Sequence, residues 1–136
     1  ELAPQQSRLH LDISTIFWQK DFLSFIEKVT QKGPFDVIST RIYRMDPLTD
    51  QHFDWHSDYD GRRLIGLSLN LSENPFAGGE FQIRNLNETK FHSFANTGLG
   101  DLLIFNIAAD KVHRVAPVTG KYPKIAYAGW LEKLVG

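Results

Sequence analysis

His56-Ser57-Asp58 places an imidazole and a carboxylate two residues apart in this 136-residue chain. Side chains on a β-strand alternate with period 2, so the two project from one face. A third ligand from a distant strand would complete a two-histidine, one-carboxylate face on a metal. That face leaves coordination positions open and suits non-haem Fe(II) that must bind an organic cosubstrate and O2. The natural third ligand is His113, in Asp110-Lys111-Val112-His113-Arg114-Val115-Ala116-Pro117-Val118-Thr119-Gly120. A solitary His-x-Asp is more often a surface or core pair than a metal site. Two fragments in this order, with strands between them, say far more than either alone.

Outward from these fragments the pattern is mostly strands. Val37, Ser39, Arg41 and Tyr43 alternate with Ile38, Thr40 and Ile42. The second set suits a helix-covered face, which leaves Arg41 and Tyr43 pointing into a cavity. Met45 to Phe53 reads as a loop ahead of the strand carrying His56, with the profile of a lid over the metal. From Arg63 to Leu71 the odd positions are apolar, while Gly66, Ser68 and Asn70 are small or polar, as a cosubstrate pocket requires. Asn74 to Gly79 is a turn and Glu80 to Arg84 a strand. Short strands follow around Phe91 to Phe94, Leu102 to Phe105, His113 to Val115 and Lys124 to Leu131. Roughly eight strands with turn punctuation predict a mainly β double-sheet jelly roll, a double-stranded β-helix. Ahead of it, Leu9, Leu11 and Ile13 alternate with polar residues and predict a short strand or extended entry. Ser14 or Thr15 is placed to cap a helix running to about Thr30, stopped by Gly33-Pro34. Its stripe, Phe22, Phe25, Ile26 and Val29, should pack on the outside of one sheet.

Composition bounds the function. One domain, 1–136, with a core over about 35–132, is long enough for a sizeable apolar interior. With 15 Lys+Arg against 16 Asp+Glu there is no electrostatic case for nucleic acid or a membrane surface as partner. The absence of cysteine excludes disulfides, thiolate metal ligands and a Cys nucleophile. No run approaches transmembrane length and no signal peptide opens the chain, so a cytoplasmic location is the default expectation. The first residue is Glu rather than Met, as in a trimmed chain or a piece of a longer one.

Together, His56-Ser57-Asp58, Arg63 to Leu71, Gly78-Gly79-Glu80-Phe81, Gly100 to Phe105, His113 to Val118 and Trp130 resemble the Fe(II)- and 2-oxoglutarate-dependent oxygenases, in the branch similar to prolyl 4-hydroxylases. The resemblance runs from about Val37 to Leu131. It implies Fe(II) held by His56, Asp58 and His113, 2-oxoglutarate as cosubstrate, O2, and ascorbate as an accessory reductant. The reaction it implies couples decarboxylation of 2-oxoglutarate, to succinate and CO2, with hydroxylation of an unactivated C–H in a peptidyl residue or small molecule.

The resemblance also puts a cation for the distal 2-oxoglutarate carboxylate on the last core strand. Lys121 lies in the turn Thr119 to Pro123, where a solvated lysine is ordinary. Lys124 begins the strand, shares a face with Ala126, Ala128 and Trp130, and aligns with the basic position when Trp130 is matched; Lys124 is the choice. Alanines leave room beside a diacid. A lysine is a point charge, so neutral helpers are expected, with Asn70 and Ser68 as candidates. Tyr43 matches a tyrosine that bonds cosubstrate, its alternative being core packing. Arg63 matches an arginine that reaches substrate, against a solvated strand-end charge. Arg41, if inward, needs an acidic partner, such as a substrate carboxylate, or escape to solvent. His10, His52 and His92 read as ordinary histidines, with His52 near enough to the site to touch a substrate. The competing class is a cupin-like metal-binding module acting as isomerase, sensor or non-catalytic binding domain, which shares the jelly roll but has no need of Lys124.

Overall fold

The computed structural model describes residues 8–49, 53–95 and 98–134. Two helices, α1 (Arg8–Phe17) and α2 (Lys20–Thr30), precede ten strands: β1 (Val37–Met45), β2 (Phe53–His56), β3 (Arg63–Asn70), β4 (Ala77–Gly78), β5 (Phe81–Asn85), β6 (His92–Phe94), β7 (Leu102–Asn106), β8 (Lys111–Val115), β9 (Val118–Thr119) and β10 (Lys124–Glu132). Eight form two antiparallel four-stranded sheets, β1-β10-β3-β7 and β2-β8-β5-β6, and β4 pairs with β9. This is the jelly roll that the short alternating segments predict. Among the described residues no helix is long and apolar enough to cross a membrane.

The amino-terminal expectation needs correction: residues 8–17 are helix, not strand, and two helices stand where one was predicted. Leu9 and Leu11 are more than half exposed, so their alternation with Ile13 marks no buried face. The buried pair is Ile13 and Phe17, one helical turn apart. Ser14 does not cap; its hydroxyl bonds the Tyr127 hydroxyl at 2.9 Å. Gln19 takes an extended conformation between the helices, and the bend stacks Phe17 on Phe22 with ring centroids 4.7 Å apart. In α2 the packed residues are Phe22, Leu23 and Ile26, while Phe25 and Val29 face solvent. The helix ends at Gln31, in the left-handed conformation, before Gly33-Pro34 is reached.

Period-2 alternation then partitions the first sheet. Ile42, Ile65, Leu67, Tyr127 and Leu131 join Ile13, Phe17 and Ile26 in the core beneath the helices. The opposite face of β1, β10 and β3 looks between the sheets. There Tyr43, Met45, Phe76, Val115, Val118 and Ala126 pack together, and a cavity of about 190 Å³, to which Tyr43 and Val115 contribute walls, lies beside them. That is the volume of several water molecules at about 30 Å³ each, enough for a small diacid.

Candidate metal centre and cosubstrate pocket

β2 ends at His56, which pairs directly with His113 of β8, their rings 4.4 Å apart. Asp58 is therefore not on the strand; it lies two residues past its end and turns back to the same cavity. One ligand atom from each of His56, Asp58 and His113 lies within 4.8 Å of the others. Asp58 Oδ2 is 3.1 Å from His113 Nε2, and Oδ1 is 3.7 Å from His56 Nε2. His56 Nδ1 is 2.5 Å from the Asp54 carbonyl. A carbonyl can only accept, so Nδ1 carries the proton and Nε2 presents its lone pair to the shared space. His113 is 8 % exposed, enclosed by Phe81 and Phe105. Burial pushes the Asp58 carboxyl up, but the His113 imidazole, the Trp130 N–H and His56 outweigh it and hold the group below its ordinary range. The carboxylate is thus ionised, as a ligand must be.

Trp130 is a residue whose role the sequence reading missed. Its Nε1–H donates to Asp58 Oδ2 at 3.2 Å, fixing the carboxylate. The available signal was its place on the Lys124 face, counted by twos along β10; that β10 passes beside the segment after β2 has no local signature. Outer-shell hydrogen bonds of this kind are worth ~10–100-fold in metal affinity. Trp130→Phe, which keeps an aromatic face for Arg63 but removes the donor, is expected to weaken Fe(II) binding within that range in a competitive metal titration.

Lys124 is 4 % exposed and lines the same cavity. Its Nζ donates to the Gly79 carbonyl at 3.0 Å and lies about 6 Å from the Tyr43 and Phe76 rings. Burial lowers its pKa from 10.5 to about 8, with Glu80 pulling the other way. Lys121, by contrast, is exposed in the turn. Tyr43 is buried, which pushes its hydroxyl up to about 12 and keeps it neutral; Arg41 and a hydrogen bond with Ser68 act in the opposite sense. Ser68 and Arg41 line the cavity with it. Asn70 is 1 % exposed and not a cavity-lining residue. Its Oδ1 accepts from the Ser72 N–H, while Nδ2 is buried without a partner. Asn70 pairs with Ala126, which puts it on the inward face between Lys124 and Ser68.

Arg63 also lies outside the cavity lining. Its guanidinium stacks over the Trp130 ring at 3.8 Å. Carboxylates surround it, Asp58 at 3.9 Å, Asp60 at 3.7 Å and the buried Glu132 at 3.5 Å. Arg63 is thus a neighbour of the ligand set rather than a free rim charge. His10 packs on β1, with Nε2 2.9 Å from Thr40 Oγ1 and from the Thr40 carbonyl, and His92 is exposed on β6. His52 and part of the expected lid lie outside the described residues.

Two histidines and one carboxylate on a jelly roll form a group that could hold a metal ion, with a buried cation lining the same cavity. The family model of the 2OG-Fe(II) oxygenase superfamily matches residues 40–132. The chain belongs to that superfamily. Among solved structures it is similar to an oxidoreductase of the 2OG-Fe(II) oxygenase family from Burkholderia pseudomallei, with a TM-score of 0.75 and 18 % identity over 93 % of this chain. It is also similar to a prolyl-4-hydroxylase from Pseudomonas putida, with a TM-score of 0.69 and 18 % identity over 97 % of this chain. The chain spans 57 % of the first of these and 70 % of the second. At that identity the likenesses speak for the fold. No curated protein matches the chain. The family implies Fe(II) and 2-oxoglutarate, and the donor set fits them: two imidazoles and an ionised carboxylate converge, and a buried cation and an orphaned Asn70 amide stand farther in.

Proposed function

We propose that this protein is a hydroxylase of the prolyl 4-hydroxylase-like kind, acting on an unactivated C–H of a peptidyl residue or of a small molecule. The observation that carries the reading is the presence of His56, Asp58, His113 and Lys124 around one cavity. Fe(II) held by the first three, with 2-oxoglutarate, O2 and ascorbate to keep the metal reduced, supplies the oxidising chemistry.

The chain's own residues supply geometry. On β10, Lys124, Ala126, Ala128 and Trp130 face inward by twos, so the lysine stands three two-residue repeats, each about 6.6 Å, from Trp130, which touches Asp58. Between them the alanines leave the width of an extended diacid. Lys124 takes its distal carboxylate, the Asn70 amide supplies the missing neutral donor, and Tyr43 with Ser68 bonds its flank. Trp130 and Arg63 hold Asp58 in place. Arg41 lies beside the Phe53 and Tyr43 rings, 5.6 and 5.8 Å from their centroids, where it meets an acidic group of the substrate. Apolar walls from Phe81, Phe105 and Leu103 exclude water.

The test is a panel of peptides and small acids supplied with Fe(II), 2-oxoglutarate and O2, scored by gain of one oxygen in the product. Arg41→Gln is expected to lower product formed per succinate for acidic substrates. An unchanged ratio would remove Arg41 from substrate recognition.

A further inference from the structure

The second sheet has an inner face that builds the metal centre and an outer face that the mechanism does not use. Register separates the two. His56, His113, Ile83, Phe81 and Val115 share the inner face, which puts Trp55, Arg114, Gln82 and Arg84 on the outer one. The helices cover only the first sheet; among the described residues no helix joins a core with the second.

The outer face is neither plain apolar nor an ordinary solvated surface. The guanidinium carbons of Arg84 and Arg114 each lie 4.6 Å from the centroid of the Trp55 ring, and that of Arg114 is 5.3 Å from Phe91. Trp55 and Phe91 meet edge to face at 5.7 Å. Arg114 Nε donates to Gln82 Oε1 at 2.6 Å. Arg84 Nη1 donates to the carbonyls of Asn85, Leu86 and Glu88 at 3.3, 3.0 and 2.6 Å. Both cations are therefore held in place before any ligand arrives. Among the described residues no carboxylate lies within ion-pair distance of either, unlike Arg44 and Arg63, which have carboxylate neighbours. Sharing one ring keeps the two charges within about a Debye length, ~8 Å in physiological salt, so each raises the cost of the other. An anion relieves both.

We propose that this face, centred on Arg84, Trp55 and Arg114, docks an acidic polypeptide segment of a partner protein. Fixed arginines beside a tryptophan are the composition of interface anchors, since little side-chain entropy remains to be lost on binding. Phe91, 43 % exposed, offers apolar area for side chains between the acidic ones. A nucleic acid is the poorer fit: its binding draws on ~6–10 phosphate contacts, whereas this face presents a pair of fixed cations on a chain of net charge −1.

The experiment needs neither metal nor cosubstrate, so its failure is separate from failure of the oxygenase reading. A labelled short peptide alternating Glu and Leu, its Lys/Leu counterpart and a single-stranded RNA oligomer are titrated by fluorescence anisotropy. The acidic peptide is expected to bind, less tightly as salt rises, while the other two do not. The double variant Arg84→Gln/Arg114→Gln is expected to weaken it about tenfold or more, and the surface control Lys121→Gln/Lys133→Gln to leave it unchanged. On the unsubstituted chain, the Trp55 indole N–H resonance should shift with acidic peptide while that of Trp130 stays, a readout independent of how the variants fold. No binding, preference for RNA, retention by the folded double variant, or a Trp130 shift in place of Trp55, which would put the acids in the cavity, overturns the proposal.

Discussion

His113→Ala is expected to abolish Fe(II) binding, while His92→Ala binds as the parent does. On the proposed reading His113 supplies one of three protein ligand atoms, and loss of an outer-shell hydrogen bond alone costs ~10–100-fold, so loss of the ligand itself should exceed that range. The comparison is informative because both residues lie on neighbouring parts of one sheet. His92 is exposed on β6 and outside the ligand group. His113 is enclosed by aromatic rings, so its truncation also leaves a small cavity. Measured melting curves separate the two effects, since His113→Gln fills most of that space yet lacks the imidazole. Metal affinity should collapse in both His113 variants, with stability falling more for alanine. Equal loss of metal in the His92 variant would sink the assignment.

Lys124→Met is expected to separate binding from stability. Removing a charge-assisted contact to a desolvated carboxylate costs on the order of 2–5 kcal/mol of cosubstrate affinity. The free protein, however, carries a buried cation that burial disfavours, and replacing such a charge with an apolar side chain of similar length is often neutral or stabilising. Against that stands the buried Gly79 carbonyl left without its donor, about 1–3 kcal/mol. The melting temperature should thus stay near the parent's while 2-oxoglutarate binding fails. Lys121→Met should change neither, because Lys121 is solvated.

The pH dependence follows with its sign. Lys124 has a folded pKa of about 8 against 10.5 when unperturbed. Below about 8 the buried group is charged and the fold bears the cost. Between about 8 and 10.5 the folded state sheds its proton while the unfolded chain keeps it, so this residue's contribution to stability rises with pH. Cosubstrate affinity runs the other way, falling as pH passes about 8 and the cation is lost. Titration of 2-oxoglutarate at pH 7 and pH 9 checks this, and Lys124→Met should flatten both trends.

The legible parts of this fold are those written in local spacing. Period 2, which converts a residue number into a face, was enough to turn His56, His113, Tyr43 and Lys124 toward one cavity, while the cosubstrate roles of Tyr43 and Lys124 came from the family resemblance. Counting by twos fails where the chain is not extended. Leu9, Leu11 and Ile13 mimic a strand, yet only Ile13 is buried, and a helical turn to Phe17 sets the contact. The bend at Gln19 carries neither glycine nor proline and exists because it lets Phe17 stack on Phe22. Asp58 joins the site from beyond its strand, and Asn70 has the predicted face but spends its carbonyl oxygen on Ser72. The Arg63, Trp130 and Glu132 cluster depends on β10 passing beside the turn after β2, a distance between residues about seventy positions apart that no local pattern encodes.

The central claim is that His56, Asp58 and His113 hold an Fe(II) that works with 2-oxoglutarate seated on Lys124. Succinate released from 2-oxoglutarate by the Fe(II)-loaded chain, with Asp58→Ala and Lys124→Met in parallel and the substrate panel present, tests it most directly. The expected result is iron-dependent succinate from the parent and background levels from both variants. Succinate formed equally by Asp58→Ala, or none formed by a parent that binds both Fe(II) and 2-oxoglutarate, would contradict it.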